Sequence, residues 1–94
     1  MKVYLSGPMS GIPDFNRPAL AAAADKLRRK GHQVFNPGAA NLKDMSYGKI
    51  LAYDLNLVCD WADAIALLPG WQCSKGASAE YMAAVAVGLK VIFL

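Results

Sequence analysis

Four short apolar runs, separated by segments of helical character, are the feature that most limits how this chain can fold. The runs are Lys2–Ser6, Gln33–Asn36, Ala64–Leu68 and Lys90–Leu94. Runs of this length that are apolar at nearly every position are typical of strands buried on both faces of a parallel sheet. Because strands that alternate with helices form βαβ units, the pattern predicts an α/β fold with a four-stranded parallel sheet.

Helical segments fill the intervals between these runs. The first has leucines and alanines at helical spacing, Pro18 in its first turn and Gly31 as its C′ residue. A polar loop to about Asp44 is expected before the second helix, where Ser46 can act as the N-cap. The three predicted helices run from about Asn16 to Lys30, from Ser46 to about Asp60, and from about Ser74 to Gly88.

The order of the strands follows from the handedness of the connections. Right-handed crossovers permit few layouts of four parallel strands, and the flavodoxin-like order 2-1-3-4 is the one we expect. Helices on both faces would make a three-layer sandwich. In this order the chain reverses direction between strands 1 and 3, and ligands bind beyond the carboxyl ends of the strands at that switch point. The loops Gly7–Asp14 and Pro69–Ser74 are predicted to meet there.

The composition fits one small domain, residues 1–94, with more apolar surface than a monomer easily hides. The hydrophobic fraction is 55% and the charged fraction 18%, compared with about 45–50% and about 25% in ordinary proteins. Self-association into a homodimer or a larger homo-oligomer is therefore expected. The net charge of +3 is mild, and its tight cluster, Arg28–Lys30, ends a predicted helix, where cations complement the dipole. A nucleic-acid polymer is not an expected partner.

The cysteines and the absence of long apolar runs limit the cellular setting. Cys59 and Cys73 lack CxxC spacing, and the single histidine, His32, is remote from both in sequence. Neither a metal site nor a cofactor is expected, and reduced thiols favour a cytoplasmic location. The sequence begins directly with a strand pattern and contains no run near the about 20 apolar residues of a membrane span. We expect neither a signal peptide nor a membrane partner.

Two acidic residues occupy positions that the pattern predicts to be buried. Asp54 lies four residues from the apolar Ile50 and Val58 on the second helix. Glu80 is expected in the first turn of the third helix, whose following residues are mostly apolar. Each acid alone is compatible with a structural role, as an ion-pair partner or a helix-dipole carboxylate. Together, on elements that flank one switch point, they favour a functional pair, and paired carboxylates suit cleavage of a glycosidic bond.

Loop residues supply further candidates near these acids. The Gly7-x-x-x-Gly11 spacing could offer backbone N–H groups to a phosphate or a sugar, although it matches neither a dinucleotide fingerprint nor a P-loop. Ser74 could be an N-cap or could form, with the free N–H groups of the helix, an anion-binding site. Trp71 could stack on a base or form a hydrophobic rim. Met82, in the third helix, is expected in the core.

Several of these segments together resemble a known family. They are Tyr4–Gly11, Asp54–Asn56, Ala62–Asp63 and the motif Ser74-x-Gly76-x-x-x-Glu80. In this order they resemble the nucleoside 2-deoxyribosyltransferase family, especially its small phage and bacterial branch, and are similar to deoxynucleoside 5′-monophosphate N-glycosidases. The resemblance covers nearly the whole chain and implies a flavodoxin-like sheet that assembles as dimers or larger oligomers.

The activity that the resemblance implies is cleavage or transfer at the N-glycosidic bond of a 2′-deoxynucleoside or its 5′-monophosphate. Glu80 would be the nucleophile that forms a covalent sugar intermediate, and Asp54 would protonate the leaving base or hold the sugar. The related nucleotide hydrolases have a serine at the position of Ser74 that meets the 5′-phosphate, so a monophosphate is favoured. The expected substrate-binding residues are Tyr4, Gly7, Met9, Gly11, Trp71, Ser74 and Gly76.

Alternatives from other functional classes stay open. The same pocket could belong to a non-catalytic nucleotide-binding or signalling module, or the chain could be a structural oligomerising domain. The related hydrolases carry an arginine where this chain has Ser10, and family members commonly add a fifth strand and a tail that completes a neighbouring subunit's site, whereas this sequence stops at Leu94. The resemblance leaves open the base, the acceptor, and whether the site is open, completed by a partner or without turnover.

Overall fold

A computed structural model describes residues 1–40 and 44–94 and shows a four-stranded, all-parallel sheet. The strand order is β2-β1-β3-β4, which confirms the predicted order 2-1-3-4. The predicted strands are all present, and β2, β3 and β4 each end one residue earlier than expected. The strands are β1 (Lys2–Ser6), β2 (Gln33–Phe35), β3 (Ala64–Leu67) and β4 (Lys90–Phe93).

Helices connect successive strands. They are α1 (Arg17–Arg29), α2 (Tyr47–Asn56) and α3 (Lys75–Ala86). Ser46 caps α2 by accepting a hydrogen bond from Lys49 N at 3.3 Å, and Gly31, at φ +93°, ends α1 as predicted. Part of the polar loop predicted up to Asp44 lies outside the described residues. In the described parts of the chain, no helix is long and apolar enough to cross a lipid bilayer.

The alternation of side chains along β1 divides the core between the two faces of the sheet. Val3 and Leu5 point to the face covered by α1, where they pack with Leu20. Tyr4 points to the opposite face and packs with Val58, which follows α2, and with Ala84 of α3. These three layers and the strand order make the fold flavodoxin-like.

The second helical segment ends in a wider turn than the sequence predicted. Residues Leu57–Trp61 form a π-helical turn after α2, closed by a 2.9 Å hydrogen bond from Ala62 N to Leu57 O. The helical segment therefore extends to Trp61, close to the predicted end at Asp60. Turns of this kind occur often at functional sites, and this one begins three residues after Asp54.

Two expectations about α3 are wrong. Glu80 is the sixth residue of the helix and so lies in its second turn, because the helix begins directly after the Ser74 cap. Met82 was expected in the core, but its side chain is 66% exposed. The buried face of α3 consists of Ala77, Glu80 and Ala84, and Met82 projects from another side of the helix.

Candidate active site

A cavity of about 220 Å³ lies beside the carboxyl end of β1, at the switch point where β1 runs between β2 and β3. Its walls come from the loop after β1, from Pro37, from one stripe of α2 and from the first turns of α3. Asp54 and Glu80 both line it. The fold therefore brings together two acids that are 26 positions apart in sequence.

The Glu80 carboxyl group is held by a hydrogen bond from the sheet and not by the N–H groups at the start of its own helix. Its side chain is only 6% exposed, and the Ser6 hydroxyl donates a 2.7 Å hydrogen bond to its Oε1. Ser6 is the last residue of β1 and points to the same face as Tyr4, two residues earlier. A buried carboxyl group with one short hydrogen bond from a rigid strand has a fixed position.

Asp54 is buried without a partner for one of its oxygens. Its side chain is 6% exposed, and Oδ1 has no hydrogen-bond partner among the described residues. The helical repeat explains its position, since Tyr47, Ile50 and Leu51 precede it at helical spacing and line the same cavity. Because a buried polar atom without a partner costs about 1–3 kcal/mol, Asp54 Oδ1 is available for a ligand that enters the cavity.

Tyr4 is a buried neighbour of the two acids. It is fully buried, its ring stacks on Phe35 at 5.4 Å between centroids, and its hydroxyl has no hydrogen-bond partner among the described residues. Burial raises the pKa of the Tyr4 hydroxyl far above its ordinary value, and the negative charges of Glu80 and Asp54 raise it further. The Tyr4 hydroxyl therefore stays protonated.

The two carboxyl groups have pKa values shifted toward neutrality. Burial raises the pKa of Glu80 from 4.5 to about 7; the hydrogen bond from Ser6 opposes this rise, and the charge of Asp54 adds to it. Burial also raises the pKa of Asp54 from 3.8 to about 6, although the nearby Tyr4 and Glu80 side chains moderate the rise. Titratable groups shifted in this way inside a cleft are typical of catalytic sites.

The start of α3 forms a second part of the site. The Ser74 hydroxyl accepts a 3.2 Å hydrogen bond from Ala77 N, which confirms the prediction that Ser74 is an N-cap. Its role in binding an anion stays a prediction. Ser74 and Gly76 line the cavity and also an adjoining hollow of about 450 Å³, which Lys75 lines as well. Free N–H groups, a hydroxyl and a lysine at one hollow favour an anionic group there.

The loop after β1 closes against β3. A Cβ added at Gly7 would lie 2.8 Å from Leu68 Cβ, so the close approach of the two segments requires glycine. Gly7 and Met9 line the cavity, as does Ser10. Gly11, at φ +79°, has open space around it and does not line the cavity, so its contribution is to the path of the loop.

The structure thus brings together most of the residues that the sequence identified, and it adds others. Glu80, Asp54, Gly7, Met9, Ser74 and Gly76 line the cavity. Tyr4, which was predicted to bind substrate, is fully buried and does not line the cavity. Trp71 packs on Tyr81 at 4.6 Å between centroids, also outside the cavity. Sequence reasoning missed Ser6 and Tyr47. Period-two alternation from Tyr4 could have identified Ser6, and the i, i+7 spacing to Asp54 could have identified Tyr47.

The donor set suits a small organic ligand. Among residues 1–40 and 44–94, no group of three or more His, Cys, Asp or Glu side chains is placed to hold a metal ion. Cys59 and Cys73 are both exposed thiols. The cavity instead combines two acids with mostly apolar walls, which is the usual arrangement of a small-molecule site.

Comparison with known proteins adds a family without a known activity. No curated protein matches the chain. One family matches it over nearly its full length, the domain of unknown function DUF4406, with residues 1–93 aligned. Since that match covers the sheet, the helices and every residue of the candidate site, this chain belongs to the DUF4406 family.

Proposed function

We propose that this protein cleaves the N-glycosidic bond of a 2′-deoxynucleoside 5′-monophosphate, or of the deoxynucleoside. The sugar forms a covalent intermediate on Glu80 and is then passed to water or to another base. The observation that carries the proposal is the pair Glu80 and Asp54, two buried carboxyl groups with raised pKa values that line one cavity. Retaining glycosidases need two such groups, one ionised and one protonated.

In the first step Glu80 acts as the nucleophile in the singly protonated form of the pair that has its proton on Asp54. Because the pKa of Glu80 is higher than that of Asp54, this is the minor arrangement of the shared proton. The ionised Glu80 carboxylate attacks C1′ of the sugar, an Oε–C1′ bond forms and the C1′–N bond to the base breaks. The bonding electrons leave with the base, and Asp54 donates the proton that the base nitrogen requires. The Ser6 hydroxyl holds the attacking carboxylate in place.

In the second step the sugar leaves Glu80. Asp54, now ionised, takes a proton from water or from an incoming base, whose oxygen or nitrogen attacks C1′ while the Oε–C1′ bond breaks. Glu80 is released as a carboxylate and Asp54 is protonated again, so the enzyme returns to its starting state. Water as acceptor gives hydrolysis, and a base as acceptor gives transfer.

The adjoining hollow supports a monophosphate as substrate. It shares Ser10, Tyr47, Ser74 and Gly76 with the cavity that holds the acids, so one ligand can occupy both. The free N–H groups of α3 and the Lys75 ammonium favour a negative charge in that hollow. The 5′-phosphate would lie there, with the sugar between it and the acids.

Self-association is part of the proposal. Met82, Val85 and Val87 of the α3 region are 66%, 50% and 49% exposed, and Phe93 at the end of β4 is 64% exposed. Exposed apolar side chains of this size on neighbouring elements are typical of protein interfaces. A second copy of the chain is the partner that we propose for the outer face of α3.

A non-catalytic nucleotide-binding module is the second candidate. Asp54 Oδ1, which has no hydrogen-bond partner among the described residues, would favour a bound ligand whether or not the ligand reacts. This candidate predicts saturable binding in calorimetry with no product after long incubation.

The test of the activity is release of free base from a panel of four deoxynucleoside 5′-monophosphates and their nucleosides, followed by chromatography. Wild-type protein is expected to release base, and Glu80→Gln is expected to lose at least about a thousandfold in rate because it cannot form the sugar ester. Asp25→Asn, which changes an exposed acid on α1, is the matched control and should retain activity. Equal release by wild type and Glu80→Gln would exclude the mechanism.

A further inference from the structure

The backbone before α1 has an unusual conformation that places an aromatic ring in the wall of the cavity. Asp14, Phe15 and Asn16 have φ values of 53°, 52° and 61°, so three consecutive residues with side chains are left-handed. This conformation is unfavourable for L-residues and rarely extends beyond a single residue. Strain of this kind concentrates at functional sites, where the surrounding structure maintains it.

Contacts on both sides hold this left-handed turn. Asn16 Nδ2 donates to Pro8 O at 2.9 Å, and Phe15 N donates to Ile12 O at 2.9 Å. An ion pair of 3.2 Å joins Arg17 Nη1 to Asp14 Oδ1. The Arg17 guanidinium also lies over the Phe15 ring, 5.2 Å from its centroid. These contacts stabilise the turn that carries the Phe15 ring.

The Phe15 ring gains little from the folded protein itself. It is 53% exposed and yet lines the cavity that contains Asp54 and Glu80. Burial of a phenylalanine is ordinarily a source of stability, so an arrangement that uses strained backbone to leave the ring half exposed beside two acids indicates contact with a ligand. Tyr47, 61% exposed, lines the same cavity and adds a second aromatic ring to its wall.

We infer that Phe15 is the base-binding residue of this site, a preformed platform on which the planar ring of the nucleobase stacks. The inference rests on the proposed function, since it assigns to Phe15 the binding of the base, which is the leaving group of the proposed reaction. Among the described residues, the side chains that line the cavity include no Asn, Gln, Arg, Lys or His, the groups that commonly distinguish the edges of the bases. Stacking tolerates every base, because each has a π face.

Two consequences follow for substrate choice. The four deoxynucleoside 5′-monophosphates should be processed with kcat/KM values within about tenfold of one another, purines being favoured by their larger stacking area. Loss of the Phe15 ring should weaken binding of any nucleotide by roughly tenfold or more and should leave binding of the sugar phosphate alone unchanged.

The experiment compares two ligands in the Glu80→Gln background, where neither is consumed. Calorimetry measures Kd for deoxyadenosine 5′-monophosphate, which has the base, and for 2-deoxyribose 5-phosphate, which lacks it. Phe15→Leu keeps an apolar side chain without a ring, Phe15→Tyr keeps the ring, and Phe93→Leu alters an exposed aromatic outside the cavity. Thermal unfolding checks that each variant is folded.

The expected result is a Kd for the nucleotide at least about tenfold weaker in Phe15→Leu, unchanged in Phe93→Leu and restored in Phe15→Tyr, with an unchanged Kd for the sugar phosphate. An unchanged nucleotide Kd in Phe15→Leu, or equal weakening for both ligands, would overturn the inference. Base release by wild type with no effect of Phe15→Leu leaves the activity standing and removes the stacking role. Ring-dependent binding without base release by wild type supports the stacking role and removes the proposed activity. Absence of nucleotide binding together with no base release by wild type removes both.

Discussion

The Ser6 hydroxyl and the Glu80 carboxyl, 74 positions apart, are joined by a 2.7 Å hydrogen bond that links the end of β1 to the second turn of α3. Burial alone would raise the pKa of Glu80 further than about 7, and this hydrogen bond opposes the rise because it favours the ionised form. Ser6 therefore both positions Glu80 and maintains a population of its carboxylate near neutral pH.

Replacement of Ser6 by alanine should impair Glu80 without removing it. We expect the pKa of Glu80 to rise, the optimum pH for base release to move upward, and kcat to fall by about tenfold or more, since a hydrogen bond to a charged group contributes about 1.5–3 kcal/mol. Ser78→Ala is the control, because the Ser78 hydroxyl lies on the same helix and, among the described residues, contacts two backbone carbonyls at 3.4 Å. A lower rate with an unchanged pH optimum would contradict the electrostatic role of Ser6.

The rate of base release should show a bell-shaped dependence on pH. The pair needs one proton. With pKa values of about 6 for Asp54 and about 7 for Glu80, the singly protonated form is most abundant between these values, and the reactive arrangement, with the proton on Asp54, is a minor part of that form. The two values belong to the pair, so each limb reports a shared titration. The profile of kcat/KM from pH 4.5 to about 9, with a nucleoside substrate that has no phosphate to titrate, measures this. Asp54→Asn should leave one limb, and a flat profile in wild type would exclude the shared proton.

Glu80→Gln should stabilise the protein in a pH-dependent manner. The pKa of Glu80 is raised on folding, so the folded state binds its proton more tightly, and stability is full below pH about 4.5 and is lost as the pH rises through about 7. Glutamine has no such loss. The difference in free energy of unfolding between Glu80→Gln and wild type should therefore increase from pH 4.5 to pH 8 by on the order of 1–3 kcal/mol.

Urea unfolding of both proteins at pH 4.5, 6 and 8 measures this difference. Asp63→Asn is a suitable control, since the Asp63 carboxylate is exposed and accepts a hydrogen bond from Lys2 N at 2.9 Å. A difference between Glu80→Gln and wild type that is the same at every pH would show that burial does not disfavour the charge on Glu80.

Two glycine substitutions should have opposite effects. A Cβ at Gly7 would lie 2.8 Å from Leu68 Cβ, so Gly7→Ala should lower the free energy of unfolding by about 1–3 kcal/mol and displace the cavity wall. Gly48 lies within α2 with open space at its Cβ position, and Gly48→Ala should raise stability by about 0.5–1 kcal/mol. Thermal and urea unfolding test both, and equal effects of the two substitutions would contradict the packing of Gly7 against Leu68.

Charges on the outer face of α3 should reduce self-association. Met82 and Val85 are one turn apart and exposed, so Met82→Glu with Val85→Glu would place two carboxylates in a proposed apolar interface. We expect a shift toward monomer in light scattering and in sedimentation. Ala21→Glu, at an exposed position on α1, is the control. Wild type that is monomeric at high concentration would refute the proposed interface.

The sequence predicted those features that local chemistry determines. Ser46 and Ser74 were predicted to be N-caps because a hydroxyl at that position accepts hydrogen bonds from free backbone N–H groups, and both make such bonds in the structure. The burial of Asp54 followed from helical spacing alone, since its neighbours at i−4 and i+4 are apolar. The four apolar runs predicted the sheet in the same way.

Features that depend on tertiary contacts could not be predicted from local sequence chemistry. Met82 was misplaced because a helix that is apolar on most sides does not reveal which side the sheet covers. The left-handed turn at Asp14–Asn16 contains no glycine, so its sequence carries no strong signal for that conformation. Ser6 appeared to be an ordinary strand residue until its distance to Glu80 was known.

The central position of β1 has a consequence for how the site behaves over time. β1 is hydrogen-bonded to β2 on one side and to β3 on the other, and Val3, Tyr4, Leu5 and Ser6 are fully buried. Amide protons in such a strand exchange with solvent only when the whole molecule unfolds. Ser6, which holds Glu80 by a hydrogen bond, therefore belongs with Tyr4 to the last part of the molecule to open. Local fluctuations of the surrounding loops leave that hydrogen bond intact.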